Sequence, residues 1–293
     1  MSERVLITGA GSGFGKMMTE TLLSNGYTVI ATMRDPGGRN KAKVDALAGK
    51  GAHIVELDVT DDASVEAGVK KAVELAGGID VLINNAGGGV VGWQETFTID
   101  DWKKIFELNV FGVQRMNRAV LPTMRQEGKG TIIYISSLLG QFVLPFFGPY
   151  NASKHALEGM AENYRVELSQ FGIESLVVEP GGYGTDFMAG LIKPGDDARK
   201  GTYGEAAGAP EQMIAGFEQN YEADTAPDPQ MVPDAVLKLL KTPRGERPFR
   251  TVVDGMGMAE PIQGIVDSTE QAHQGIYKAF QMDAMLSLPK QPA

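Results

Sequence analysis

Seven short apolar runs, separated by longer segments of helical period, constrain this chain more than any other feature. The runs are Val5–Thr8, Thr28–Thr32, Ala52–Leu57, Val81–Ile83, Thr131–Ile135, Glu174–Val178 and Phe249–Val253. Most are rich in Val, Ile and Leu with little polar alternation, the pattern of strands buried on both faces. Between them lie helical patterns such as Lys16–Asn25, Asp62–Leu75, Ile99–Gln126 and Tyr150–Phe171, and Ile265–Met285 reads as a terminal helix. Strand–helix repetition of this kind predicts an α/β fold: a doubly wound parallel sheet of about seven strands, with right-handed crossovers placing helices on both faces in three layers, α/β/α.

No internal repeat or low-complexity linker divides the chain, so residues 1–293 read as one domain. The segment 186–233 breaks the rhythm. It is rich in Gly, Met and acids and too long for an ordinary loop, which marks it as functional or partly helical, a substrate-loop or lid insertion. Residues 256–293 form a C-terminal extension. The formal net charge of −10 argues against a nucleic-acid partner and gives no sign of an anionic membrane partner. With no cysteine, disulfides, thiolate metal sites and cysteine nucleophiles are excluded together. The three histidines fall in no Ser/His/Asp or metal-ligand pattern, so no metal is expected. The N-terminus shows no signal peptide and no stretch has the apolar length of a bilayer span, which predicts a cytoplasmic protein.

The first apolar run enters a glycine loop, Thr8-Gly9-Ala10-Gly11-Ser12-Gly13-Phe14-Gly15, and a helical pattern follows. A strand, a glycine turn and a helix N-terminus make an anion site, because free N–H groups and the helix dipole both favour negative charge. A nucleotide P-loop would need Gly at position 10 and Ser or Thr at 17, where Ala and Met stand. The G-x-G-x-x-G fingerprint would need Gly at 14, which is Phe. What remains is Gly9-xxx-Gly13-x-Gly15.

A second constellation lies in the run from Ser136 to Lys154. Tyr150 follows Ser137 by thirteen positions, and Lys154 follows Tyr150 by four. On a helix, residues four apart share a face, so a phenol and an ammonium stand side by side. A nearby cation favours the phenolate and lowers the phenol's pKa from about 10, which makes Tyr150 a candidate general acid or base. The Ser137 hydroxyl is placed to hold the reacting oxygen.

Together with Asn84-Asn85-Ala86-Gly87 after the fourth strand, Asn109 in the following helix, and Pro180-Gly181 with Thr185 after the sixth, these motifs resemble the short-chain dehydrogenase/reductase family. The resemblance is close from about Arg4 to Asp186 and looser at the last strand. It implies a Rossmann-type sheet, a nicotinamide cofactor and an oxidoreductase exchanging a carbonyl, ketone or aldehyde, for its alcohol. By position, Tyr150 would be the catalytic acid/base, Lys154 would lower its pKa and hold the ribose hydroxyls, Ser137 would bind the substrate oxygen, and Asn109 would support a water relay to Lys154. Gly9, Gly13 and Gly15 would line the pyrophosphate, with Ser12 and Phe14 of the same loop also touching cofactor. Asp58 would meet the adenine, with Val59 beside it, and Asn85, Ala86 and Gly87 would pass the cofactor ribose. Pro180 and Gly181 would border the cofactor, and Thr185 would reach the carboxamide or phosphates. The alternative of a cofactor-sensing protein without turnover fits less well, since such proteins usually lack the tyrosine or lysine.

NADP(H) is expected over NAD(H), which stays possible. By the resemblance, the position where NAD-users carry an acid that accepts from the ribose 2′-hydroxyl is Met33. Arg34 follows and can form paired bonds to a 2′-phosphate. Arg39 and Lys41 add positive charge nearby, whereas Asp35 could neutralise Arg34. For the substrate, Val90, Val91, Trp93, Phe142, Leu144, Phe146 and Phe147, with Phe187, Met188, Leu191 and Ile192 opening the insertion, suggest an apolar pocket for a bulky carbonyl or alcohol. The family also implies a homodimer or homotetramer, paired through Ile99–Gln126 and Tyr150–Phe171.

Overall fold

A computed structural model describes residues 2–289; Met1 of the expected domain and residues 290–293 of the expected C-terminal extension lie outside the described residues. The strands are β1 Arg4–Ile7, β2 Thr28–Met33, β3 His53–Glu56, β4 Val81–Asn84, β5 Gly130–Ile135, β6 Ile173–Pro180 and β7 Arg250–Val253. They form one sheet in the order β3-β2-β1-β4-β5-β6-β7, with every neighbouring pair parallel. All seven expected apolar runs are strands, within a few residues at each end.

The helices are α1 Gly13–Ser24, α2 Lys41–Ala48, α3 Asp62–Ala76, α4 Ile99–Phe106, α5 Gly112–Glu127, α6 Gly148–Leu168, α7 Asp197–Gly201, α8 Ala209–Glu222, α9 Met231–Lys241 and α10 Ala259–Ala279. Two apolar layers sandwich the sheet. Leu6, Leu82, Ile132 and Val177 meet α3, α5 and α6 through Val69, Met116 and Leu157. The alternate residues Val5, Ile83, Ile133 and Val178 meet α1 and α9 through Met18, Leu22, Val236 and Leu240. Successive strand side chains point to opposite faces, so a strand covered on both sides is apolar at every position. This is the three-layer α/β/α arrangement of a Rossmann-type sheet.

Two helices differ from expectation. Ile99–Gln126 is not one regular helix: a π-helical turn, Glu107–Phe111, separates α4 from α5 and carries Asn109. Such turns inside α-helices often mark functional sites. The terminal helix starts at Ala259 rather than Ile265, because Pro261 stands in its first turn, where a missing N–H costs no helical bond. The segment 186–233 is partly helical, as expected, and contains α7 and α8.

At the start of α4 the Thr98 hydroxyl accepts from the Asp101 N–H at 3.2 Å, while the Asp101 carboxylate accepts from the Thr98 N–H at 3.0 Å. This reciprocal cap satisfies two N–H groups that the helix itself leaves free. Thr98→Ala is expected to lower the unfolding free energy by about 1 kcal/mol, read as a smaller urea midpoint at unchanged slope.

β1 and β4 are neighbours although two strands, β2 and β3, lie between them in the chain. Here the order of connection reverses, and a crevice opens at the carboxyl ends of the strands. The candidate site fills that crevice.

Candidate active site

The glycine loop crosses the carboxyl end of β1. Gly9 has a φ of 68°, and a Cβ there would stand 2.9 Å from the Ala86 Cα. Thr8 ties this loop to the next: its hydroxyl accepts from the N–H groups of Asn85 at 3.0 Å and Ala86 at 2.9 Å. Asn85 returns a bond from its amide to the Thr8 carbonyl at 2.8 Å. Gly9, Gly11, Ser12, Gly13 and Phe14 face an open cleft of about 660 Å³, as do Asn85, Ala86, Gly87, Pro180, Gly181 and Thr185. Gly15, expected to line the same groove, does not. It is buried in the first turn of α1, where a Cβ would approach the Gly9 carbonyl oxygen to 2.4 Å. Its smallness seats the helix on the loop. The site thus fits a dinucleotide: glycines keep the cradle clear, and a helix N-terminus points into it.

At the far end of this groove, Asp58, Val59, Arg34, Arg39, Asn40 and Lys43 form the wall. Asp58 accepts from the N–H and hydroxyl of Thr60 at 3.0 and 2.7 Å, and Arg34 lies 3.9 Å from its other oxygen. Burial works against its charge, but the Thr60 bonds, Arg34 and Arg39 outweigh it and hold the carboxyl below its usual range. Asp35 does not neutralise Arg34. Its φ of 47° turns its side chain back, and its carboxylate accepts from the Arg39 N–H at 3.0 Å. Lys41 pairs with Asp45 at 2.8 Å, one turn along α2, instead of facing the groove. Lys43 takes its place: its stem would meet a Cβ at Gly11 at 3.8 Å, beside Met33. Sequence reading passed over Lys43 because only the course of α2 shows which of two nearby lysines faces the glycine loop.

At the other end stand Ser137, Tyr150 and Lys154. Tyr150 and Lys154 are each 7% exposed, and the lysine Nζ lies 5.6 Å from the centre of the tyrosine ring. Nζ donates to the Ile135 carbonyl at 2.8 Å, which ties α6 to the end of β5. Burial pushes the Tyr150 phenol up to about 12, opposed by a hydrogen bond with Ser137. Burial pulls Lys154 down to about 8, opposed by Glu158 one turn further along α6. The direction at Tyr150 is the reverse of the expected lowering, because burial strips water from the phenol and the Ser137 bond offsets only part of that cost.

Asn109 sits in the π-helical turn and bonds directly to the loop after β4 and to α6. Its amide donates to the Gly88 carbonyl and to the Ser153 hydroxyl, each at 3.0 Å, and its oxygen accepts from the Gly88 N–H at 2.9 Å. All these bonds brace the Asn85–Gly89 loop against α6, and none reaches Lys154.

Phe142, Leu144, Phe147, Phe187 and Met188 line the apolar part of the cleft, joined by Leu139, Phe217, Tyr221, Met256 and Met258. The last four come from α8 and from the segment after β7, whose approach to the site no local pattern announces. Val90 and Trp93 do not line it. Val90 is fully buried and bridges Ile192 in parallel. Trp93 stacks on Tyr203 at 4.2 Å, meets Phe146 edge-on at 4.8 Å and donates to the Ala206 carbonyl at 3.3 Å. These two residues latch the inserted segment to the loop after β4. Asp101 adds to the latch by accepting from the Gly195 N–H at 2.9 Å. Among the described residues, no group of three or more His, Asp and Glu side chains could hold a metal ion, and no helix is long and apolar enough to cross a membrane.

Residues 3–194 match the short chain dehydrogenase family. An uncharacterized oxidoreductase of Bacillus subtilis (strain 168), YusZ, is 36% identical over 242 residues, 80% of this chain and 83% of that protein. Human 17-beta-hydroxysteroid dehydrogenase type 1 is 34% identical over 247 residues, 82% of this chain and 74% of that protein. The crystal structure of a short-chain dehydrogenase from Streptomyces avermitilis aligns with a TM-score of 0.76 at 31% identity, covering 96% of this chain and 97% of that one. A family match that spans the glycine loop, the Ser137–Lys154 constellation and β6, on a fold shared almost end to end, leaves one conclusion: the chain belongs to the short chain dehydrogenase family of oxidoreductases.

Proposed function

We propose that this protein interconverts a bulky, apolar ketone or aldehyde and the corresponding alcohol by hydride exchange with NADP(H). One observation carries the reading: the Tyr150 phenol, with Ser137 and Lys154, stands where a glycine-lined dinucleotide groove runs into an aromatic pocket. NADPH supplies the hydride for the reducing direction. On the protein's side, Ser137 donates a hydrogen bond to the carbonyl oxygen and fixes its position. Tyr150 gives its proton to that oxygen as the C=O π bond opens, and the alcohol O–H forms. A phenol pushed up to about 12 holds this proton through neutral pH. The buried Lys154 ammonium stabilises the phenolate left behind. In the oxidising direction the same phenolate takes the proton back.

Three features support NADP(H). Met33 offers no carboxylate to a ribose 2′-hydroxyl, Arg34 and Lys43 face the groove, and Asp35 is turned away into its own turn. The aromatic lining supports a bulky substrate, and so does the likeness to a hydroxysteroid dehydrogenase, whose name denotes a large apolar alcohol. Phe111, half exposed at the end of the π-helical turn, supports the closed homo-oligomer proposed for α4, α5 and α6.

The test is a turnover screen of ketones, aldehydes and secondary alcohols with NADPH and with NADH at matched concentrations. Bulky and aromatic carbonyls are expected to turn over with higher kcat/KM than sugars or polyols. A clear preference for polyols would overturn the substrate assignment.

A further inference from the structure

Behind the catalytic constellation lies a buried ionic cluster that the proposed chemistry leaves unused. Glu158 on α6, Glu179 on β6 and Arg250 on β7 are respectively 5%, 0% and 8% exposed. The Arg250 Nε donates to Glu158 Oε2 at 3.0 Å and lies 3.8 Å from Glu179 Oε1. Gln141, from the loop between Ser137 and Tyr150, donates to Glu179 Oε1 at 2.6 Å. Two acceptor oxygens, Glu158 Oε1 and Glu179 Oε2, are buried and find no donor among the described residues. One guanidinium cannot balance two carboxylates. A buried, uncompensated charge is costly, and such a group neutralises by taking a proton. A proton on one carboxyl removes the excess charge and supplies a donor where two acceptors lack one.

The cluster is coupled to the site by helix register. Glu158 follows Lys154 by four residues and so stands on its face of α6. The chain is shaped to admit it: a Cβ at Gly140 would lie 2.9 Å from the Glu158 Cγ and 3.0 Å from the Ser136 hydroxyl. We propose that Glu158 is a positioning residue for the active site: ionised and held by Arg250, with the neighbouring Glu179 carrying the compensating proton, it keeps the Lys154 side chain cationic beside Tyr150. This rests on reading Tyr150 and Lys154 as the acid/base pair.

Two directions agree with it. Burial raises the Glu179 carboxyl to about 8, reinforced by the Glu158 charge. Burial lowers Lys154, and Glu158 opposes that fall. The other ionisable groups around the cluster are Glu162, 3.7 Å from Arg250 and paired with His273 of α10, and Arg165, paired with Glu270 of α10 at 2.6 Å. On the site side the facing group is Tyr150. Glu162 and His273 are each about a quarter exposed, so water screens them more than it does Glu158.

The experiment follows the lysine itself and needs no substrate. Full-length protein labelled at the lysine ε-carbon is titrated by NMR, with the Lys154 resonance assigned by its absence in Lys154→Arg. A group whose cationic form is stabilised by Glu158 must lose its proton at lower pH once that charge is gone. Glu158→Gln is therefore expected to move the Lys154 midpoint down by on the order of one pH unit, and Glu158→Asp to restore most of it. Glu179→Gln is expected to leave the midpoint in place, because it removes a carboxyl that is already neutral. A midpoint unmoved in Glu158→Gln, or moved as far down by Glu179→Gln, overturns the proposal. Infrared spectroscopy of the wild-type protein tests the proton separately should Glu158→Gln fail to fold. A buried carboxylic-acid C=O band at neutral pH that vanishes in Glu179→Gln supports the assignment, and the absence of such a band refutes it. Loss of turnover in Tyr150→Phe bears only on the chemistry, so the two readings can fail independently.

Discussion

Tyr150→Phe protein is expected to lose turnover by about 10²–10⁴-fold and to bind NADPH with unchanged affinity. The substitution removes one oxygen from a buried ring and leaves the ring's contacts. Tyr150 packs against Phe147 and Phe187 at centroid distances of 6.4 and 5.6 Å, and phenylalanine keeps both. Lys154 keeps its bond to the Ile135 carbonyl, so the shape of the site survives. What disappears is the proton that the substrate oxygen must receive. The same group predicts opposite pH responses in the two directions. Reduction needs the protonated phenol, which a site that pushes it up to about 12 retains across the neutral range. Oxidation needs the phenolate, so its rate is expected to climb as pH rises. Steady-state rates on a responsive ketone, with a fluorescence titration of NADPH, check both halves. Near-normal turnover in folded Tyr150→Phe protein would remove Tyr150 from the mechanism.

Arg34→Ala, alone and with Lys43→Ala, is expected to raise the KM for NADPH strongly and that for NADH little. A hydrogen bond to a charged group contributes about 1.5–3 kcal/mol, which corresponds to roughly 10–150-fold in affinity. The Arg34 side chain is 60% exposed, so screening by water puts its effect near the lower end of that range. Lys43 adds a second cation from α2, and the double variant should fall further. Losing Arg34 should leave Asp58 in position, because Thr60 holds that carboxylate through two bonds. The selectivity ratio should also shrink as salt rises, since exposed charges act through a short screening length. A wild-type enzyme with higher kcat/KM for NADH than for NADPH would show that Met33, Arg34 and Lys43 do not select the cofactor.

The sheet was legible in the sequence because its strands are covered on both faces. Ile132 faces one helical layer and Ile133 the other, so the apolar run is continuous and stands out from amphipathic helices. The glycine loop and the Tyr150–Lys154 pair were legible for a related reason: each is local. A strand-to-helix turn fixes the first, and one turn of α6 fixes the second, whatever the rest of the chain does. Only the tertiary structure decided what depends on distant segments meeting. Whether Lys41 or Lys43 faces the groove is set by how α2 packs. Phe217 and Tyr221 reach the pocket because α8 folds back over it, and Met256 and Met258 because β7 ends beside β6. Trp93 and Val90 became latches rather than lining once the inserted segment lay against them. Asn109 meets Gly88 and Ser153 because the chain brings the π-helical turn against the loop after β4 and α6. The charge of the site likewise belongs to the fold. Spacing placed a lysine beside a tyrosine, but desolvation acts only on a packed interior, and it reversed the shift that the spacing alone implied.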